Sequence, residues 1–237
     1  MNYDNPAGRL LELLKKGKTF SHGSNCREVW KEILDAESES EMLSKLGMLM
    51  SLANESALKI EEDFPEEVDA VSHWKGQLTN AFLAQNLQGN WQSFIQGIDD
   101  HSIRYLTSES KLLQLTSNTK PLKDKDVDRV RDQLSLIYEE VINSNIEIEV
   151  RKYVIRYLRK IMNSIDDYFL TGALPILEAV ETTIGHVHVD KKYKSFMLDT
   201  DLGKKILDTL GATANVVTVA VGLPQLTTAI AMIVGNA

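Results

Sequence analysis

Apolar residues recur three and four positions apart along most of the chain, the spacing of one helix face. The pattern is strongest over residues 124–170. Val127, Val130, Leu134, Ile137 and Val141 step at threes and fours, and Val150, Val154, Leu158, Ile161, Ile165 and Tyr168 repeat the rhythm. Two such seams predict two long packed helices. Asn143-Ser144-Asn145 is a tight junction between them, and short connections make antiparallel neighbours. The expected spine is therefore a helical hairpin over 124–170, with Leu134, Ile137, Val154, Leu158 and Ile161 buried together.

The same rhythm places the other elements. Asn5-Pro6 starts a helix that carries Leu10, Leu11, Leu13 and Leu14 and ends at Gly17; Asn caps and Pro suits the first helical position. Ser24 or Asn25 caps a short helix with Val29, Trp30, Ile33 and Leu34 inward. A third starts near Ser40, with Leu43, Leu46, Leu49, Met50, Ala53 and Leu58 as its face. Pro65-Glu66-Glu67 opens a fourth, facing inward through Val71, Trp74, Leu78 and Phe82. Trp91, Phe94, Ile95 and Ile98 form a short helix, and Asp100 caps the next. Residues 116–123 read as a loop. Strict alternation is confined to Val187–Val189 and Val216–Val221. The expected fold is all-α: a bundle of nine or ten helices around the hairpin.

The chain ends differently from how it begins. Residues 209–237 contain no Lys, Arg, Asp, Glu or His, whereas a quarter of the whole chain is Asp, Glu, Lys or Arg. A surface helix needs a polar stripe, and this stretch has only Thr, Asn and Gln for that purpose. It is expected to be buried in its own core, in a second subunit or in a bilayer. The organisation predicted from this contrast is a helical bundle over 1–200 and an apolar C-terminal helix or hairpin over 201–237. Residues 212–234 reach spanning length, yet Asn215, Thr218, Pro224, Gln225, Thr227 and Thr228 interrupt them. A hairpin turning at Gly222-Leu223-Pro224 fits better, and resembles the apolar hairpins that pore-forming toxins hide in a soluble bundle. Val216, Val217, Val219, Val221, Leu223, Leu226, Ile230 and Ile233 are the expected membrane or oligomer contacts. Val219→Asp is expected to be among the most harmful changes in this half.

A net charge of −8 argues against a protein built to neutralise nucleic-acid phosphates or to bind anionic lipid constitutively. Cys26 is the single cysteine, so no intrachain disulfide forms; a reducing cytoplasm fits. The first residues lack the basic start and apolar core of a secretory signal.

Motifs for phosphate loops, dinucleotide turns, nucleophile elbows and paired-cysteine zinc sites are absent from the sequence. His186 and His188 would share a face only on extended backbone, and lack a third ligand. Asp99-Asp100-His101 reads as a helix cap rather than an acid–base pair. Cys26, beside Arg27 at a helix start, reads as an inert thiol. Trp30, Trp74 and Trp91 read as core. Lys152, Arg156, Arg159 and Lys160 form a basic stripe broadened by Arg151, a candidate contact for phosphate or phospholipid. The alternative is a solvated face neutralised by Glu147, Glu149 and Asp166. No catalytic, cofactor or metal residue is assigned.

The opening Asn5-Pro6-Ala7-Gly8-Arg9-Leu10, then Val29-Trp30 and the leucine-rich third helix, resembles a group of bacterial proteins with an N-P-A-x-R-L start, a V-W in the second helix and an apolar C-terminus. The resemblance covers most of the chain and carries no activity with it. It implies a bacterial cytosolic protein with a role in stress or phage defence. The functional expectation is a non-enzymatic effector or accessory protein that associates through helices and engages the inner membrane through its tail when activated. The alternative is a soluble adaptor whose tail packs in a homo-oligomer or against another protein. Nucleic acid is not an expected partner.

Overall fold

The computed structural model describes residues 4–117 and 119–222. Twelve α-helices and no strand occur among the described residues; one isolated bridge joins Asn25 to Asn90. The fold is an all-α multi-helix bundle. The helices beyond nine or ten include a single turn at Tyr168–Thr171 and the short helix Lys191–Asp199.

The chain divides into two compact units, Met1–Asn118 and Thr119–Ala237. The division falls in the expected loop rather than at residue 200. Unit 1 contains α1 (Pro6–Lys18), α2 (Cys26–Leu34), α3 (Glu39–Asp63), α4 (Val68–Ala84), α5 (Gln92–Ile95) and α6 (Asp100–Thr116). Unit 2 contains α7 (Asp124–Asn143), α8 (Ile148–Asp166), α9 (Tyr168–Thr171), α10 (Leu174–Gly185), α11 (Lys191–Asp199) and α12 (Asp201–Ala220).

In unit 1, α1 packs on α3 and α6, and α4 closes against both. The N-P-A-G-R-L opening builds this junction. Asn5 caps α1 by accepting from the Gly8 amide, and its Nδ2 donates to the Ser110 carbonyl of α6 at 3.0 Å. Arg9 is buried and bonds Asp4 at 3.0 Å. Trp30, Trp91 and Phe94 pack edge to face, with centroids 4.7–4.9 Å apart around Trp30. Trp74 fills the α4–α6 side and is 1% exposed. On α3 the buried face is Met42, Leu46, Leu49, Leu52, Ala53, Ala57 and Ile60. Leu43, Met50 and Leu58 lie outside it, each about half exposed. This corrects the expected face: α3 has two adjacent apolar stripes, and α1 and α4 cover only one.

In unit 2 the hairpin is the spine. Arg131 meets Asp166, Ser135 meets Met162 and Tyr138 meets Arg159. Numbers rise on α7 as they fall on α8, so the pair is antiparallel. Leu134, Ile137, Val154, Leu158 and Ile161 share one buried cluster with α10, α11 and α12.

Helix α12 belongs to that core. Ile206, Leu207, Leu210, Ala214, Val217 and Ala220 point inward, and Thr200 caps the helix by accepting from the Gly203 amide at 3.0 Å. The threonines expected to face water do the opposite. Thr213 and Thr218 are buried, and their hydroxyls donate to the carbonyls of Thr209 and Asn215 within the helix. Asp201, Lys204, Lys205, Asp208, Ala212, Asn215 and Val219 form the exposed side. Val219 is 67% exposed and Val217 is 2% exposed, which removes core burial as a reason for harm by Val219→Asp. Burying an unpaired carboxylate costs several kcal/mol, roughly 3 or more here. Val217→Asp should therefore collapse the thermal transition of unit 2. Val219→Asp should stay within about 0.5 kcal/mol of wild type. Circular-dichroism melts of both variants check this, and equal melting points would refute the placement of α12.

No helix among the described residues is long and apolar enough to cross a membrane. Gly222, in the left-handed region at φ 73°, ends the described chain. The expected turn through Leu223-Pro224 and the second arm of the hairpin lie outside the described residues.

Candidate functional site

Helix α8 presents the strongest surface feature predicted from the sequence. Its buried side is Val150, Val154, Tyr157, Leu158, Ile161, Met162 and Ile165. The same periodicity turns Lys152, Arg156, Arg159 and Lys160 to solvent, and all four are exposed. From Lys152 to Lys160 the stripe runs about 12 Å at 1.5 Å per residue.

The carboxylates expected to neutralise this stripe are engaged elsewhere. Glu147 and Glu149 both hold Lys192 of α11, the second at 3.3 Å. Asp166 holds Arg131 of α7 through two bonds of 2.6 and 3.0 Å; this partner raises the Arg131 pKa against the smaller, opposing loss of solvation. Arg159 donates to the Tyr138 hydroxyl at 2.7 Å, with its guanidinium 5.3 Å from that ring centroid. Lys152, Arg156 and Lys160 have no carboxylate within ion-pair distance among the described residues. Arg151 is not part of the open face; it donates to the Ser144 and Ile146 carbonyls and locks the hairpin turn. Three cations on successive turns, without counter-ions, can hold an anionic surface. A long ammonium gives a point charge and a guanidinium a planar fork.

Tyrosines on and beside α8 have a packing role. Tyr153, Tyr157 and Tyr193 surround the His186 ring at centroid distances of 4.6, 5.3 and 4.9 Å. His186 and His188 lie on a short 3-10 turn, not on extended backbone, and His188 is exposed. Among the described residues no three His, Cys, Asp or Glu side chains are grouped to hold a metal ion.

Of the eight apolar contact residues, Val217 is in the core of unit 2, and Val216 and Val221 pack partly buried against it. Val219 alone of the described four is an exposed apolar side chain. Leu223, Leu226, Ile230 and Ile233 lie outside the described residues.

Unit 1 adds a pair that local sequence did not reveal. Asp99, not Asp100, caps α6: its Oδ1 accepts from the Ser102 amide at 2.7 Å, and its Oδ2 bonds His73 Nε2 at 2.8 Å. Loss of solvation opposes ionisation of Asp99, but the Ser102 contacts and His73 outweigh it and hold the carboxyl at about 2. His73 lies 26 residues away on α4, so only the packing of α4 on α6 brings the pair together. The ring centroids of His101 and Tyr105 stand 6.2 and 5.5 Å from that of His73, and Asp99 is the hydrogen-bond partner of His73 among the described residues. The pair is a cap extended by an imidazole. Cys26 is fully buried, and burial pushes its thiol up against weaker contacts from Ser93 and Trp30. Arg27 turns away to Glu39.

The chain matches no protein-family model, no curated protein and no solved structure.

Proposed function

We propose that the chain is a non-enzymatic helical adaptor that works by association, with the cationic face of α8 as its docking surface for an anionic protein partner. The supporting observation is the diversion of Glu147, Glu149 and Asp166 to Lys192 and Arg131. It frees a stripe that the same carboxylates would otherwise have neutralised. A net charge of −8 disfavours nucleic acid as the partner, because long-range repulsion opposes a polyanion. A protein can offer a local acidic patch of matching size. The expected location is the cytoplasm, and the setting in bacterial stress or phage defence rests on the N-P-A-x-R-L resemblance.

A short fluorescently labelled polyglutamate peptide, matched to the length of the stripe, is a direct probe. Wild type should bind it at low salt. Lys152→Glu/Arg156→Glu/Lys160→Glu should weaken binding by roughly three- to a hundredfold, since each of the three exposed pairs contributes about 0.2–1 kcal/mol. Equal binding by both proteins would end this reading.

A second reading is supported by residues 223–237, which contain no charged side chain. After activation this segment engages a bilayer, with α8 adding attraction to anionic lipid; stable anchoring commonly needs two such signals. Truncation after Gly222 keeps the whole of α12 and removes only this segment. It should abolish leakage from anionic vesicles if the reading holds. Undiminished leakage by the truncated chain would exclude it.

A further inference from the structure

The chain itself carries a surface complementary to α8. Unit 1 has 11 Lys and Arg against 18 Asp and Glu, a net −7, whereas unit 2 has 15 against 16, a net −1. Almost all of the excess negative charge thus sits in one unit, and the open cationic face sits in the other. The carboxylates of unit 1 are densest at the corner where α3 passes into α4. Glu61, Glu62, Glu66, Glu67 and Asp69 fall within residues 61–69. None has a Lys or Arg partner among the described residues, while neighbouring Asp63 is held by Lys59 at 2.9 Å. Glu62, Glu66 and Asp69 are exposed, and Val68 between them is 47% exposed.

We propose that the cationic face of α8 docks the acidic α3–α4 corner of a second copy of this chain, giving head-to-tail self-association. The inference rests on the reading of α8 as an anion-binding surface and identifies the partner that supplies the anion. Every copy presents both surfaces, so each can give one contact and receive another. The two patches are different, so the contact is heterologous; it closes into a ring or continues as a filament according to the rotation between copies. The paired groups are solvent-exposed, so the contact is weak and strongly screened by salt. Val68 gives the acidic corner an apolar centre.

Sedimentation velocity on the full chain tests this over a concentration series, at about 0.02 M and about 0.5 M salt. Wild type should grow in mass with concentration at low salt and return to monomer at high salt. Lys152→Glu/Arg156→Glu/Lys160→Glu alone, and Glu62→Lys/Glu66→Lys/Asp69→Lys alone, should each remain monomeric at low salt. An equimolar mixture of the two variants should associate again, because each surface of one then faces an opposite surface of the other. Both variants stay net negative, so recovery cannot come from bulk attraction. Circular dichroism confirms that both remain folded. A monomeric wild type at low salt, self-association that ignores either reversal, or a mixture that stays monomeric would each overturn the proposal. Polyglutamate binding separates the two levels. If wild type stays monomeric but binds the probe through α8, self-docking fails and the anion-binding surface stands. If it neither associates nor binds, both fall.

Discussion

Gly203→Ala should destabilise unit 2 by about 3 kcal/mol or more, although alanine is the better helix former. The reason is the sharp passage from α11 to α12, joined by Thr200 alone. A Cβ at Gly203 would stand 2.1 Å from the Phe196 carbonyl oxygen and 2.6 Å from Met197 Cα. Both obstacles are backbone, so no side-chain rotation relieves them. The last turn of α11 would have to retreat by roughly 1 Å to reach ordinary contact. That turn carries Phe196 and Met197, both buried in the unit 2 core, and movement there opens voids behind them. The same helix provides the control. A Cβ at Gly211 meets nothing within 4 Å, so Gly211→Ala should stabilise α12 by about 0.5–1 kcal/mol through helix propensity alone. The two substitutions should thus move the circular-dichroism melt in opposite directions, Gly203→Ala downward by more than about 10 °C. A Gly203→Ala protein that melts at or above wild type would show that α11 and α12 do not cross as described.

How far the sequence carries depends on whether a feature is local. Asn5 and Asn25 cap the helices they precede because a cap needs only its own side chain and the next amides. The α7 and α8 seams were legible because each helix has a single apolar stripe. Helix α3 has two, and periodicity cannot choose between Met42-Leu46-Leu49 and Leu43-Met50; neighbouring helices make that choice. At α12 the apolar stretch was recognised, but the inward register was not. Its Thr residues satisfy their own hydroxyls on helix carbonyls, so they can be buried while Val219 is left outside.

The candidate site divides along the same line. Four cations at helical spacing on α8 were visible in the sequence. Whether their counter-ions were free was not, because Lys192 lies more than forty residues from the carboxylates it binds. The His73–Asp99 pair was hidden for the same reason. Glu109 did leave a local trace. It falls between Leu106 and Leu113 on α6, three and four positions from each, on the stripe that packs inward. A carboxylate on an apolar stripe is a signal of a perturbed group.

That carboxylate should make unit 1 less stable as pH rises from about 4.5 to 7. Glu109 is fully buried, and among the described residues neither of its oxygens has a well-formed hydrogen bond. Burial raises its pKa from 4.5 to about 7; the Trp74 indole partly offsets this, and the negative charge of Glu67 adds to it. In the unfolded chain the group ionises near its ordinary value, so between about pH 4.5 and 7 the unfolded state binds fewer protons than the folded one. Stability therefore falls across that window, by about 3 kcal/mol when complete. Glu109→Gln removes the ionisation while keeping the shape and one acceptor oxygen toward Trp74. Its amide lacks an acceptor, which costs about 1 kcal/mol, less than the buried charge at high pH. The variant should match or trail wild type at pH 4.5 and be the more stable protein at pH 8. Trp30, Trp74 and Trp91 all belong to unit 1, so urea unfolding followed by tryptophan fluorescence reports this unit selectively. Comparing the variant with wild type at each pH cancels other titrations, such as that of Asp99. Parallel stability curves from pH 4.5 to 8 would mean that Glu109 stays ionised in the folded chain and finds a partner there.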